Sequence, residues 1–118
     1  MKKSIIILEP DREIQSILEA RLTAAGYEVF CPVDSYVAIE HAQNHGLDLI
    51  ILNDHMPIIS GVDTLTFLDE AGISTPSIVF LPKIKNANGY TRRPNCICLR
   101  KPFKIDHLLD QVSRLLSM

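Results

Sequence analysis

Two hydrophobic periodicities alternate along the chain. Ser4–Leu8 is a short β-branched run that stops at Glu9-Pro10-Asp11, the pattern of a buried strand ending in a turn. Ile14, Ile17, Leu18, Leu22 and Ala25 then recur at helical spacing, with Asp11 placed to cap that helix and Gly26 to end it. Tyr27–Cys31 alternates and predicts a second strand. Asp34 or Ser35 caps a second helix that runs to about His45 and closes at Gly46. Leu47–Leu52 is almost continuously apolar, as a central parallel strand covered on both faces must be. A loop with Pro57 and Gly61 leads to a third helix, roughly Val62–Ala71, stopped by Gly72. Ser77–Leu81 and Cys96–Leu99 predict the fourth and fifth strands. Ile105–Leu116 carries the clearest stripe, formed by Ile105, Leu108, Leu109, Val112, Leu115 and Leu116.

Strand and helix thus alternate from end to end, which argues for an α/β fold with a parallel sheet and helices on both faces. One segment breaks the alternation. A fourth helix belongs between Leu81 and Cys96, yet residues 82–95 have almost no apolar stripe and carry Gly89, two prolines and three asparagines. At most a turn of helix is expected there. There is no repeat, low-complexity tract or linker, and 118 residues suffice for one domain, residues 1–118.

Composition adds little: 47% hydrophobic and 22% charged residues describe a globular chain with a real core. No apolar run approaches the roughly 20 residues of a membrane span. Met1-Lys2-Lys3-Ser4-Ile5 opens like a secretion signal, but Glu9, Pro10 and Asp11 interrupt it, so a cytoplasmic protein is expected. The three cysteines, Cys31, Cys96 and Cys98, do not make a disulfide framework and read as small half-buried hydrophobes. On a strand, Cys96 and Cys98 would share one face. Charge changes the picture more. The net charge is only −2, but no Lys or Arg occurs between Arg21 and Lys83. Lys83, Lys85, Arg92, Arg93, Arg100, Lys101 and Lys104 then follow with no acid among them, predicting an acidic and a basic region.

Ile5-Ile6-Ile7-Leu8-Glu9-Pro10-Asp11 resembles the first strand and acidic corner of CheY-like response-regulator receiver domains. Asp48-Leu49-Ile50-Ile51-Leu52-Asn53-Asp54-His55-Met56-Pro57, followed by Gly61, is similar to their phosphoacceptor strand and loop. Lys101-Pro102-Phe103 resembles their closing lysine motif, whose Lys–Pro bond is typically cis. Gly26-Tyr27 and Thr75-Pro76 fall where the family has them. The resemblance covers essentially the whole chain. It implies a doubly wound, flavodoxin-like sheet of order 2-1-3-4-5, with chemistry at the carboxyl ends of the strands. It also implies a role in two-component phosphorelay signalling, with no enzymatic activity of its own.

Accepting a phosphoryl group requires a carboxylate nucleophile, a hard cation held by further carboxylates, and a lysine on the transferring oxygens. The resemblance puts Asn53 at the phosphoacceptor position, and a carboxamide is a poor nucleophile. Pro10 takes an acidic-corner position that contacts the metal directly, while Glu9 keeps the other. Leu81 replaces a switch hydroxyl and Cys98 an aromatic switch residue; Lys101 survives. The sequence therefore predicts a degenerate pocket of Glu9, Pro10, Asn53, Asp54, Leu81 and Lys101. No cofactor is expected, since Glu9 and the His55 carbonyl would hold magnesium weakly at best.

Asp54 reads as a solvated loop carboxylate, with a relocated phosphoacceptor as the alternative, and Asp11 as a helix cap rather than a metal ligand. Glu9 and Lys101 face each other across the pocket as an ion pair near the surface, where such pairs contribute about 0–1 kcal/mol. His41, His45, His55 and His107 make no metal set and are expected in solvent. Lys83, Lys85, Arg92, Arg93, Arg100 and Lys104 are either a solvated loop or a landing face for an acidic partner, a nucleotide or nucleic acid. No recognition helix or aromatic platform accompanies them, so base-specific DNA reading is not expected. The expected partner is a signalling protein, whether kinase, regulator or output domain. A homodimer stays open, and membrane contact is not expected.

Overall fold

The computed structural model describes residues 2–117. Strands β1 (Ser4–Leu8), β2 (Glu28–Phe30), β3 (Leu49–Asn53), β4 (Ser77–Leu81) and β5 (Cys96–Arg100) alternate with helices α1 (Arg12–Ala24), α2 (Ser35–His45), α3 (Gly61–Glu70) and α4 (Ile105–Leu116). The strands form one parallel sheet of order β2-β1-β3-β4-β5, as expected.

Alternation along the strands decides what each face buries. Ile5, Ile7, Leu49, Ile51, Ile78, Phe80 and Leu99 point to one side, where Leu18 and Leu22 of α1 and Leu108 and Val112 of α4 cover them. Ile6, Leu8, Ile50, Leu52, Val79 and Leu81 point to the other, against Ala38 and Ala42 of α2 and Leu65 and Leu68 of α3. β1, β3 and β4 are covered on both sides, which is why their sequences read as unbroken apolar runs. Asp11 caps α1 by accepting from the Glu13 and Ile14 amides, and Asp34 caps α2 through the Val37 amide. Ser60, not singled out by its sequence, caps α3 through the Asp63 amide.

Three strands differ from the periodicity at their ends, β5 only by running on to Arg100. β2 is three residues long, Glu28–Phe30, the residues in register with Ser4–Ile6 of β1. β3 starts at Leu49 rather than Leu47 and runs on to Asn53; Leu47 packs on the core from the preceding loop.

Residues 82–95 form turns and no helix, as expected, but they are not loose. Tyr90 is only 2% exposed and fills the space beside Leu81 and Leu65 that a helix would otherwise cover. Gly89 permits this approach, because a Cβ there would lie 2.7 Å from a Val62 methyl. Arg93 reaches under α3 to the Leu65 and Thr75 carbonyls and pairs with Asp69. The segment is a strap anchored at both ends.

Candidate functional site

The side chains of interest gather at the carboxyl ends of β1, β3, β4 and β5, on two sides of the sheet. By strand alternation, Glu9, Asn53 and Lys101 belong to the side covered by α1 and α4. Asp54 belongs to the side covered by α3 and the strap.

On the first side, Lys101 Nζ lies 2.6 Å from Glu9 Oε1, and the Asp11 amide donates to Glu9 Oε2 at 3.0 Å. The Glu9 side chain is 1% exposed and that of Lys101 27%, so the expected ion pair forms but is more buried than a surface pair. Lys101 Nζ also lies 5.6 Å from the Phe80 ring centre. The Lys101–Pro102 peptide is cis. Asn53 is half-buried and donates its amide N–H to the His55 carbonyl at 3.4 Å. Pro10 is exposed and its side chain offers no ligand atom, whereas Leu81 is fully buried in the core.

This donor set does not fit a magnesium ion. Such an ion takes near-octahedral oxygens, yet both Glu9 oxygens are engaged, Asp11 is occupied as a helix cap, and the His55 carbonyl accepts from Asn53. Among the described residues, no group of three or more His, Cys, Asp or Glu is placed to hold a metal.

Residues 5–113 match the family model described as the response regulator receiver domain. The chain belongs to that family. It is a receiver domain of the two-component response-regulator type. Over 81 residues it is 40% identical to the transcriptional regulatory protein YrkP of Bacillus subtilis, covering 69% of this chain and 34% of that protein. Over 111 residues it is 28% identical to the transcriptional regulatory protein DltR of Streptococcus agalactiae, covering 92% of this chain and 49% of that protein. The chain thus spans less than half the length of these relatives. The Francisella response regulator 1452 receiver domain shares the fold, with a TM-score of 0.87 at 23% identity over 98% of each chain.

On the other side of this receiver sheet, one expectation is corrected. Asp54 is not a solvated loop carboxylate; it is 4% exposed. Its amide donates to the Phe80 carbonyl at 2.9 Å, which carries the strand direction one residue past Asn53 and turns the Asp54 side chain toward the strap. There Tyr90 Oη donates to Oδ1 at 2.5 Å and Lys85 Nζ approaches Oδ2 at 2.8 Å. Gly61 makes the notch: a Cβ there would fall 2.6 Å from Tyr90 Oη and 3.1 Å from the Asp54 Cα. Tyr90 went unnoticed in the sequence because a lone aromatic in a polar stretch has no periodicity; Gly89 beside it was the available signal.

The basic residues divide rather than form one free face. Lys85 and Arg93 are committed to Asp54 and Asp69, and the Arg100 guanidinium gathers the Pro82, Lys83 and Lys85 carbonyls. Lys83, Arg92 and Lys104 are exposed and in no ion pair among the described residues. Three histidines are exposed as expected; His41 is half-buried, its ring 4.4 Å from that of Phe30. Cys98, which the resemblance puts at the switch position, is half-buried on β5.

Burial alone would raise the Asp54 pKa, but the Lys85 and Tyr90 hydrogen bonds outweigh it and hold the carboxyl below its ordinary value of 3.8. A depressed carboxyl stabilises the fold above its unfolded pKa and loses that contribution as pH falls through the folded one. Acid unfolding followed by circular dichroism is therefore expected to steepen below about pH 4, and Asp54→Asn to flatten that limb. An unchanged limb in the variant would mean Asp54 carries no linked proton.

Proposed function

We propose that this receiver domain signals without phosphorylation, through contact with a protein partner of its two-component pathway, whether kinase, regulator or output domain. The observation that carries the reading is the internal closure of the pocket. Lys101, which in a phosphoryl-accepting site would meet the transferring oxygens, is bound to Glu9, and the carboxamide of Asn53 is bonded to the loop carbonyl. A carboxamide cannot form an acyl phosphate, and the surrounding donors do not fit the divalent cation such transfer needs. The fully buried Leu81 offers no hydroxyl to report a phosphoryl group.

The test is incubation with acetyl phosphate or phosphoramidate and excess magnesium, followed by borohydride trapping and intact mass measurement. No phosphoryl adduct is expected. A stoichiometric acyl phosphate would overturn the reading, and its position would decide the alternative. Asp54 favours that alternative in one respect, as a buried ionised carboxylate next to a lysine at the end of β3. Against it, both Asp54 oxygens are already bound by Tyr90 and Lys85.

Contact with the partner is assigned to the β5 side, where Lys83, Arg92 and Lys104 leave positive charge exposed toward an acidic protein surface. A homodimer through that side and capture of a nucleotide or nucleic acid are distinguished by sedimentation and by binding after reversing those charges. The relatives' regulatory names support a place as the receiver part of a longer transcriptional regulator.

A further inference from the structure

Cys96 and Cys98 lie two apart on β5 and share the sheet face lined by Val79, Leu81 and Tyr90. Both thiols are free and half-buried, and their i, i+2 spacing on the strand sets them side by side on that face. β5 is an edge strand, paired with β4 alone. Cys98 opens onto a groove of about 650 Å³ shared with Arg100, Phe103, Lys104 and His107, which gives an ion a way in.

Ser77 is the register partner of Cys96 and by alternation points to the same face. Its side chain is fully buried and its Oγ has no hydrogen-bond partner among the described residues. Arg93 Nε is likewise buried without a partner among the described residues, three residues before Cys96 and on a side chain bound to the Thr75 carbonyl. Buried polar atoms are nearly always paired. A hydroxyl left over on the face that carries the two thiols, with a guanidinium N–H left over in the segment leading into β5, forms a setting for negative charge that neutral thiols do not supply.

We propose that Cys96 and Cys98 form a two-coordinate site for a soft closed-shell cation, copper(I) foremost. On binding, each thiol loses its proton to solvent, two S–Cu bonds form, and the metal stays copper(I). The resulting bis-thiolate carries one negative charge, which the Ser77 hydroxyl, Arg93 and Arg100 stabilise. Zinc is excluded by ligand count: it requires about four donors in a structural site, and no third His, Cys, Asp or Glu joins the pair among the described residues. Hard cations do not select thiolates. Burial, then the neighbouring Cys96, pushes the Cys98 thiol up to about 11, which makes it slow to react with ordinary electrophiles. Cys31 stands elsewhere, 3.6 Å from Glu19, and serves as a control.

The test is anaerobic titration of the protein with copper(I) against a chromophoric copper(I) chelator, repeated with silver(I) as a redox-inert probe. One equivalent is expected to be retained, with proton release on binding. Cys96→Ser and Cys98→Ser each abolish retention, while Cys31→Ser and His107→Asn leave it unchanged. Ser77→Ala, which removes a hydroxyl without a partner, keeps the fold by circular dichroism and weakens binding roughly 10-fold. Retention of the equivalent in a folded Cys96→Ser or Cys98→Ser variant overturns the site, as does its loss in Cys31→Ser or failure of the parent to hold copper(I).

Discussion

Tyr90→Ala is expected to lower the unfolding free energy by about 3–5 kcal/mol, the usual cost of deleting a buried aromatic side chain. Domains of this kind have about 5–15 kcal/mol in total, so the variant should sit near the edge of folding at moderate temperature. The size follows from position. Tyr90 is 2% exposed and supplies the apolar cover over Leu81 that residues 82–95 cannot provide as a helix. Its removal also leaves Asp54, itself 4% exposed, with Lys85 as its only side-chain partner among the described residues. Tyr90→Phe separates the two contributions. It keeps the ring and deletes only the 2.5 Å hydrogen bond, so a smaller loss of about 1–3 kcal/mol is expected. Urea unfolding of the three proteins measures both steps. If Tyr90→Ala came within about 0.5 kcal/mol of the parent, a range typical of surface changes, the strap would not be anchored by this residue.

The hydrogen-bonded strap also shows where sequence reading stops. The strands and helices were legible because burial on one or both faces imposes a period, and β4 and α4 occupy the predicted residues without adjustment. The Glu9–Lys101 pairing was legible because both residues follow strands whose order the resemblance supplied. Asp54 was not, because its environment is made by a segment 36 positions away with no period of its own. Tyr90, Lys85 and Arg93 each act as single anchors, and single anchors leave no pattern. The basic segment misled for a related reason. Charge counts predict a field, whereas half of the candidate cations, Lys85, Arg93 and Arg100, are engaged by the fold itself.

Lys101→Met is expected to cost about 3 kcal/mol, because it strands the Glu9 carboxylate in a site from which water is largely excluded. Glu9 would keep the Asp11 amide and lose the Lys101 ammonium, at 1% exposure of its side chain. The exposed pair Arg21–Asp106 provides the contrast: its side chains are 49% and 88% exposed, and Arg21→Ala should fall within about 1 kcal/mol of the parent. Replacing both members, Glu9→Leu with Lys101→Met, should recover most of the loss, since a buried pair exchanged for apolar side chains is often neutral or better. A double-mutant cycle in urea reads this directly as a large favourable coupling between the two positions. The same cycle bears on function. A lysine reserved for a phosphoryl group would leave the resting fold nearly indifferent to its loss, while a lysine that neutralises Glu9 makes the fold depend on it. Coupling near zero would therefore return Lys101 to the phosphoryl role and remove the principal support for signalling without phosphorylation.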